Sequence, residues 1–164
     1  MMANFTLNNP DCSILGSDID ALELEVGISF PAEFRALYLS FNGGSPSREF
    51  WAQDENYEPI RIEDFKSVAG DGVADRGQTK YIGGCYRLMV ERDVLPAHLV
   101  PFAVDEAGNF ICLNKHGGEV VYFAVDVFQP DVDVHINHIN AQKILSSSFP
   151  GFIQSLVDED EVDS

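Results

Sequence analysis

The sequence predicts an α+β fold: a single domain with a mainly antiparallel twisted sheet and helices packed on one face. Three observations predict it. Residues 19–44 carry two helical apolar stripes in tandem. Residues 100–125 alternate short apolar runs with tight-turn residues, as a three-stranded meander does. The chain then closes on one more helical stripe near its C-terminus. With 164 residues it is long enough to bury a sizeable core. A hydrophobic content of 45% with twelve phenylalanines marks a folded chain, not a disordered one.

The first helix places Ile19, Leu22 and Val26 at i, i+3 and i+7. Ser17 and Asp18 are its candidate N-caps, and Gly27 is its stop. Ile28 and Phe30 tuck the corner against the core, and Pro31 opens a second helix, where a missing N–H costs nothing. Phe34, Leu37, Tyr38 and Phe41 form its apolar face, ended by Asn42-Gly43-Gly44. Residues 1–16 are a polar lead-in whose Phe5-Thr6-Leu7 triplet either pairs with an edge strand or stays free.

Glu49 to Ala52 reads as a first strand, Gln53 to Glu58 as an acidic loop, and Ile60 to Phe65 as a half-buried strand. Gly70-Asp71-Gly72 and Asp75-Arg76-Gly77 mark a long loop. Tyr81 to Asp93 is read as a helix on Ile82, Tyr86, Met89 and Val90, despite Gly83-Gly84. Strands follow at Pro101–Val104, Phe110–Leu113 and Val120–Val125, the last as a central strand. Pro130 to His138 alternates Val132, Val134 and Ile136 with polar residues and predicts an exposed strand. Ile144-Leu145 is expected to be short and buried. Ser146 to Ser148 cap a last helix with Pro150 in its first turn and Phe149, Phe152, Ile153 and Leu156 on its apolar face. The folded body therefore runs over 17–157, followed by an acidic tail, 158–164.

Ten basic residues against 27 acidic ones give a net charge of −17. The last seven residues hold five acids, so the body without them still carries −12. Such a chain repels nucleic acid and anionic membranes and attracts basic proteins. The three cysteines are odd in number and share no CxxC spacing, which points to reduced thiols in the cytoplasm. The N-terminus has no basic region followed by an apolar run, so no signal peptide is read there. The most apolar later run, 94–104, is cut by Pro96, His98 and Pro101, which excludes a membrane span.

No catalytic constellation, metal site or cofactor motif emerges. His135 and His138 on a strand would point to opposite faces. Asp126, Asp131 and Asp133 lack the glycine and terminal glutamate of a calcium loop. Neither Gly70-x-Gly72 nor Gly83-Gly84 has phosphate-loop spacing. The candidate function is therefore partner binding through acidic surface. Its candidate residues are Asp54, Glu55, Tyr57, Glu58, Glu63, Asp64, Asp105 and Glu106. Trp51 beside them reads either as an interface anchor or as core.

A resemblance spans most of the chain. Glu23, Gly27-Ile28, Phe30-Pro31, Phe34, Leu37 and Asn42-Gly43-Gly44 resemble the opening signature of the SUKH superfamily, the Smi/Knr-like proteins. Phe30 stands where a leucine is more usual. Pro101, Asp105, Gly108-Asn109 and Phe110–Leu113 resemble the family's central hairpin, and Val120–Phe123, with Tyr122, its next strand. Ser148-Phe149, Phe152-Ile153 and Leu156 resemble its closing helix. Lys66 to Tyr81 matches nothing in the pattern. The resemblance implies a SUKH-like α+β domain over 17–157 with no enzymatic activity and no cofactor. It implies protein binding: many bacterial members neutralise toxins, often nucleases, and fungal members regulate cell-wall synthesis as interaction hubs. The expected partner is thus a basic toxin domain, and the alternative is a regulatory or scaffold module without one. A third class, an unrecognised hydrolase or metal enzyme centred on His135 or His138, is the least expected.

Overall fold

A computed structural model describes residues 4–70 and 78–162. The expected loop features from Asp71 to Gly77 lie outside the described residues.

Helix α1 (Gly16–Val26) buries Ile19, Leu22 and Val26, the expected stripe. Its cap sits earlier than expected. Leu15 is the N-cap, and Asp18, three residues on, accepts the Leu15 N–H at 2.8 Å. Ser17 takes no part in that exchange because the helix has already begun at Gly16. Gly27 ends the helix at φ 75°, a left-handed conformation that a Cβ would strain. Glu23 then fixes the corner. Its Oε2 accepts the Phe30 N–H at 2.7 Å, and its other oxygen lies 3.3 Å from Arg35. Helix α2 (Ala32–Ser40) follows directly and buries Phe34, Leu37 and Tyr38.

Asn42 ties this unit to the next. It is 4% exposed, donates to the carbonyls of Cys12 and Val68, and accepts the Val68 N–H at 2.7 Å. Gly43 and Gly44 both carry positive φ, and Gly44 bridges Phe65 through hydrogen bonds of 3.0 and 2.8 Å. The lead-in pairs: β1 (Leu7–Asn8) forms a two-stranded antiparallel ribbon with β2 (Ser45–Pro46).

Among the described residues the main sheet has seven strands. β3 (Phe50–Trp51), β4 (Ile60–Phe65), β5 (Leu99–Asp105), β6 (Phe110–Asn114) and β7 (Val120–Phe123) run antiparallel in that spatial order. β8 (Gln142–Ser146) pairs with β7 at one end, and β9 (Leu156–Val157) pairs with β3 at the other. The expected meander is β5–β6–β7. β7 lies second from an edge, not at the centre, and stops at Phe123, where a 3-10 turn (Val125–Val127) takes over.

The sheet is curled, with α1, α2 and α5 (Phe149–Ser155) packed on one face. Phe34 centres that layer: its ring lies 4.3 Å from Phe30, 4.5 Å from Tyr38 and 5.2 Å from Phe149. Phe102 of β5 joins from the sheet at 5.6 Å from Phe149 and 6.0 Å from Phe152. Such ring pairs add to what area burial contributes. Alternation puts Cys112, Val121 and Phe123 on the reverse of the strands, in a second cluster with Cys85 of α3 (Ile82–Glu91). Burial pushes the Cys85 and Cys112 thiols up in pKa, Cys112 the further.

Two further expectations fail. Residues 130–138 are not a strand: helix α4 (Val134–Asn140) begins there, with Asp133 accepting the His135 N–H at 2.9 Å as its cap. Buried Asn137 and His138 hold it. Asn137 bonds to Gln129, and His138 Nε2 lies 2.7 Å from the Asp93 carbonyl. These tertiary contacts override a period-2 pattern that leaves Val134 and Ile136 nearly half exposed. Ile144 is not buried but 63% exposed, because neighbouring residues on a strand face opposite ways and Leu145 takes the core side. Ser148 caps α5 as expected, accepting the Gly151 N–H at 3.1 Å. The acidic tail begins as the exposed short helix α6 (Glu159–Val162). Among the described residues no helix is long and apolar enough to cross a membrane.

Candidate functional site

The loop 53–58 joins β3 to β4 and is organised by Asp54. One Asp54 oxygen accepts the Asn56 N–H at 2.9 Å, and its backbone carbonyl accepts the Tyr57 N–H at 3.1 Å. The other oxygen takes a hydrogen bond from Lys143 Nζ at 2.8 Å, across from β8. The Lys143 ammonium, then the Asn56 amide, hold the Asp54 carboxyl below the ordinary aspartate pKa. The same ammonium stands 4.6 Å above the Tyr57 ring and 5.8 Å above that of Trp51. Tyr57 meets Tyr122 edge-on at 6.5 Å. One lysine and two tyrosines thus pin an acidic loop against the sheet.

A cleft opens on each side of the loop. The first, about 450 Å³, has Tyr57 and Tyr122 as aromatic wall. Glu58, Asp105, Glu106 and Asp126 line it against a single cation, Arg61. Arg61 is held by Glu49 at 3.1 Å and Glu106 at 3.3 Å. The second, about 660 Å³, lies between Trp51, Asp54 and Glu55 on one side and Lys143, Ile144 and Leu145 on the other.

The eight residues singled out from the sequence divide into three groups. Asp54, Glu55, Tyr57, Glu58 and Glu106 surround the 53–58 loop and its clefts. Asp105 lies in the first cleft but is 6% exposed, its oxygens engaged by the amides of Ala107 and Asn109 and by the Tyr122 hydroxyl. Glu63 and Asp64 are exposed further along β4. Asp64 faces a separate cleft with Asp11, Ser67 and Lys80. Although the residue is exposed overall, partial enclosure in that cleft raises its carboxyl above the usual range, and Lys66 only partly offsets this. Trp51 is 4% exposed and is core, though it also lines the second cleft.

Sequence reasoning missed Lys143, Asn109 and Asp126. Asn109 donates to the Tyr122 hydroxyl at 3.0 Å and to Asp126 at 3.3 Å, and its carbonyl oxygen accepts the Val125 N–H. No local spacing links these residues; sheet register alone brings them together. His135 is exposed on α4 while His138 is buried against Asp93, and among the described residues no cluster of three or more His, Cys, Asp or Glu is placed to hold a metal ion.

The SPbeta prophage-derived uncharacterized protein YokK of Bacillus subtilis (strain 168) is 22% identical over 153 residues, which covers 84% of this chain and 72% of that protein. Residues 14–155, from Ile14 ahead of α1 to the end of α5, match the SMI1 / KNR4 family (SUKH-1) model. The chain belongs to the SMI1 / KNR4 family (SUKH-1).

Proposed function

We propose that this protein is a non-enzymatic cytoplasmic binding protein of the immunity type, which neutralises a cognate basic toxin domain by direct contact through the acidic face around residues 53–58. One observation carries the reading: at the first cleft four carboxylates converge beside two tyrosines against one arginine, and that arginine is already paired. A nuclease toxin must be basic to hold phosphate, and an acidic partner can occupy the same groove. The chain's −17 charge speeds encounter with such a partner. Tyr57, 38% exposed, has the chemistry of an interface anchor. Membership of a family of protein-binding domains supports the class.

The test is capture from the source cell at low and high salt, with mass spectrometry of the bound fraction. The reading expects one basic toxin domain, released as salt rises. Enrichment of ordinary cytosolic machinery instead would favour a regulatory or scaffold module.

A further inference from the structure

β8 is the terminal strand of the seven-stranded sheet, paired with β7 on one side only. Among the described residues no strand pairs with its other side. Open edges of this kind are templates for pairing and are normally blunted by charge, proline or a covering segment. Here the most outward side chain is Ile144, 63% exposed. Helix α4, which feeds the strand, adds exposed Val134, Ile136 and Ile139.

The second cleft flanks this strand. Its lining includes Lys143, Ile144 and Leu145 of β8 and no residue of β7, and its opposite wall is Trp51, Asp54 and Glu55. That wall joins a buried tryptophan to an acidic pair. Trp51 is 96% buried, and its indole Nε1–H has no acceptor among the described residues. A buried donor without a partner is a standing cost at the floor of this wall. Asp54 and Glu55 place two carboxylates at the cleft against the one ammonium of Lys143. That charge selects a cationic visitor. A second copy of this chain, itself at −17, is disfavoured by repulsion.

We propose that the free edge of β8 receives an extended basic segment of the partner protein as an added strand. Backbone hydrogen bonds to β8 supply register. The segment's cations meet Glu55 and compete with Lys143 for Asp54. This is strand augmentation, in which the main chain gives affinity and alternate side chains give selectivity. The inference rests on the acidic-face reading above and names the part of the partner that the face takes.

Three short peptides test it: alternating lysine and valine, the same peptide with every backbone amide N-methylated, and alternating glutamate and valine. Trp51 is the only tryptophan, so its indole N–H resonance reports on the cleft. Amide exchange across Gln142–Ser146 reports on the edge. The expected result is that the lysine peptide shifts the indole signal and slows exchange in β8. The N-methylated peptide, with the same charge, binds at least about tenfold more weakly, and the glutamate peptide does not bind. Ile144→Lys, an exposed change that leaves the core intact, weakens the lysine peptide. Equal binding of the N-methylated peptide with no slowing in β8 overturns strand addition and leaves the acidic-face reading standing. Slowing that rises with protein concentration and needs no peptide overturns it in favour of a second copy. No binding of the lysine peptide at low salt overturns it also, and retention of a basic toxin in the capture experiment would show that only this inference had failed.

Discussion

The Tyr122 hydroxyl donates its hydrogen bond to Asp105, joining the middle of β7 to the end of β5 across β6. Both residues are buried, at 6% exposure each. Burial first, and the adjacent carboxylate second, push the Tyr122 phenol well above its ordinary pKa, so it stays a donor throughout the physiological range. Tyr122→Phe removes that donor and leaves a buried carboxylate oxygen short of a partner. The expected loss is about 1–3 kcal/mol in urea denaturation, against little change for exposed Tyr57→Phe. An unaltered Tyr122→Phe midpoint would show that the bond contributes nothing net.

Gly44 sits at φ +121°, and a Cβ there would run into the carbonyl oxygen of Asn8 on β1. Gly44→Ala must therefore displace the β1–β2 ribbon, exposing Phe5 and Leu7. The expected cost is at least about 2 kcal/mol, with faster amide exchange in residues 5–8. Exchange unchanged there would mean that the ribbon tolerates the shift.

His98 is held below the ordinary histidine pKa, first by burial and then by His116, whose ring is stacked 6.3 Å away. Lys115 and His138 act in the same sense, and Gln142 opposes them. A folded value below the unfolded value of about 6.5 makes the contribution to stability complete above pH 6.5 and lost as pH falls through the folded value. Thermal midpoints should drop between pH 7 and 5, and His98→Gln should flatten the drop. Parallel curves for the two proteins would remove His98 from the account.

Asp64 shows the opposite sign. Burial raises its carboxyl pKa, so its contribution is present below the unfolded value of 3.8 and lost as pH rises through the folded one. At neutral pH the ionised group therefore weakens the fold, and Asp64→Asn should raise the melting temperature at pH 7 but not at pH 3. A fall at pH 7 would contradict this.

The helices, the meander and the capped last helix were legible because each carries its own periodicity and stop signal. Phe34, Leu37 and Tyr38 announce a buried face, and Ser148 and Pro150 announce a start. Residues 130–138 misled because Val132, Val134 and Ile136 alternate like a strand, while besides the Asp133 cap the contacts that hold a helix there reach outside the segment, to Asp93 and Gln129. The acidic loop was legible from composition. Its attachment was not: Lys143 is 89 positions from Asp54, and only the curl of the sheet brings them to 2.8 Å.

The central claim is that the acidic face drives recognition of a basic partner, and association kinetics with the captured partner test it most directly. The wild type and the exposed triple reversal Glu55→Lys, Glu58→Lys and Glu106→Lys would be compared across a salt series. The account predicts an association rate that falls steeply with salt in the wild type, and at least about a tenfold slower rate for the triple variant at low salt. Rates that ignore both salt and the reversals would contradict it.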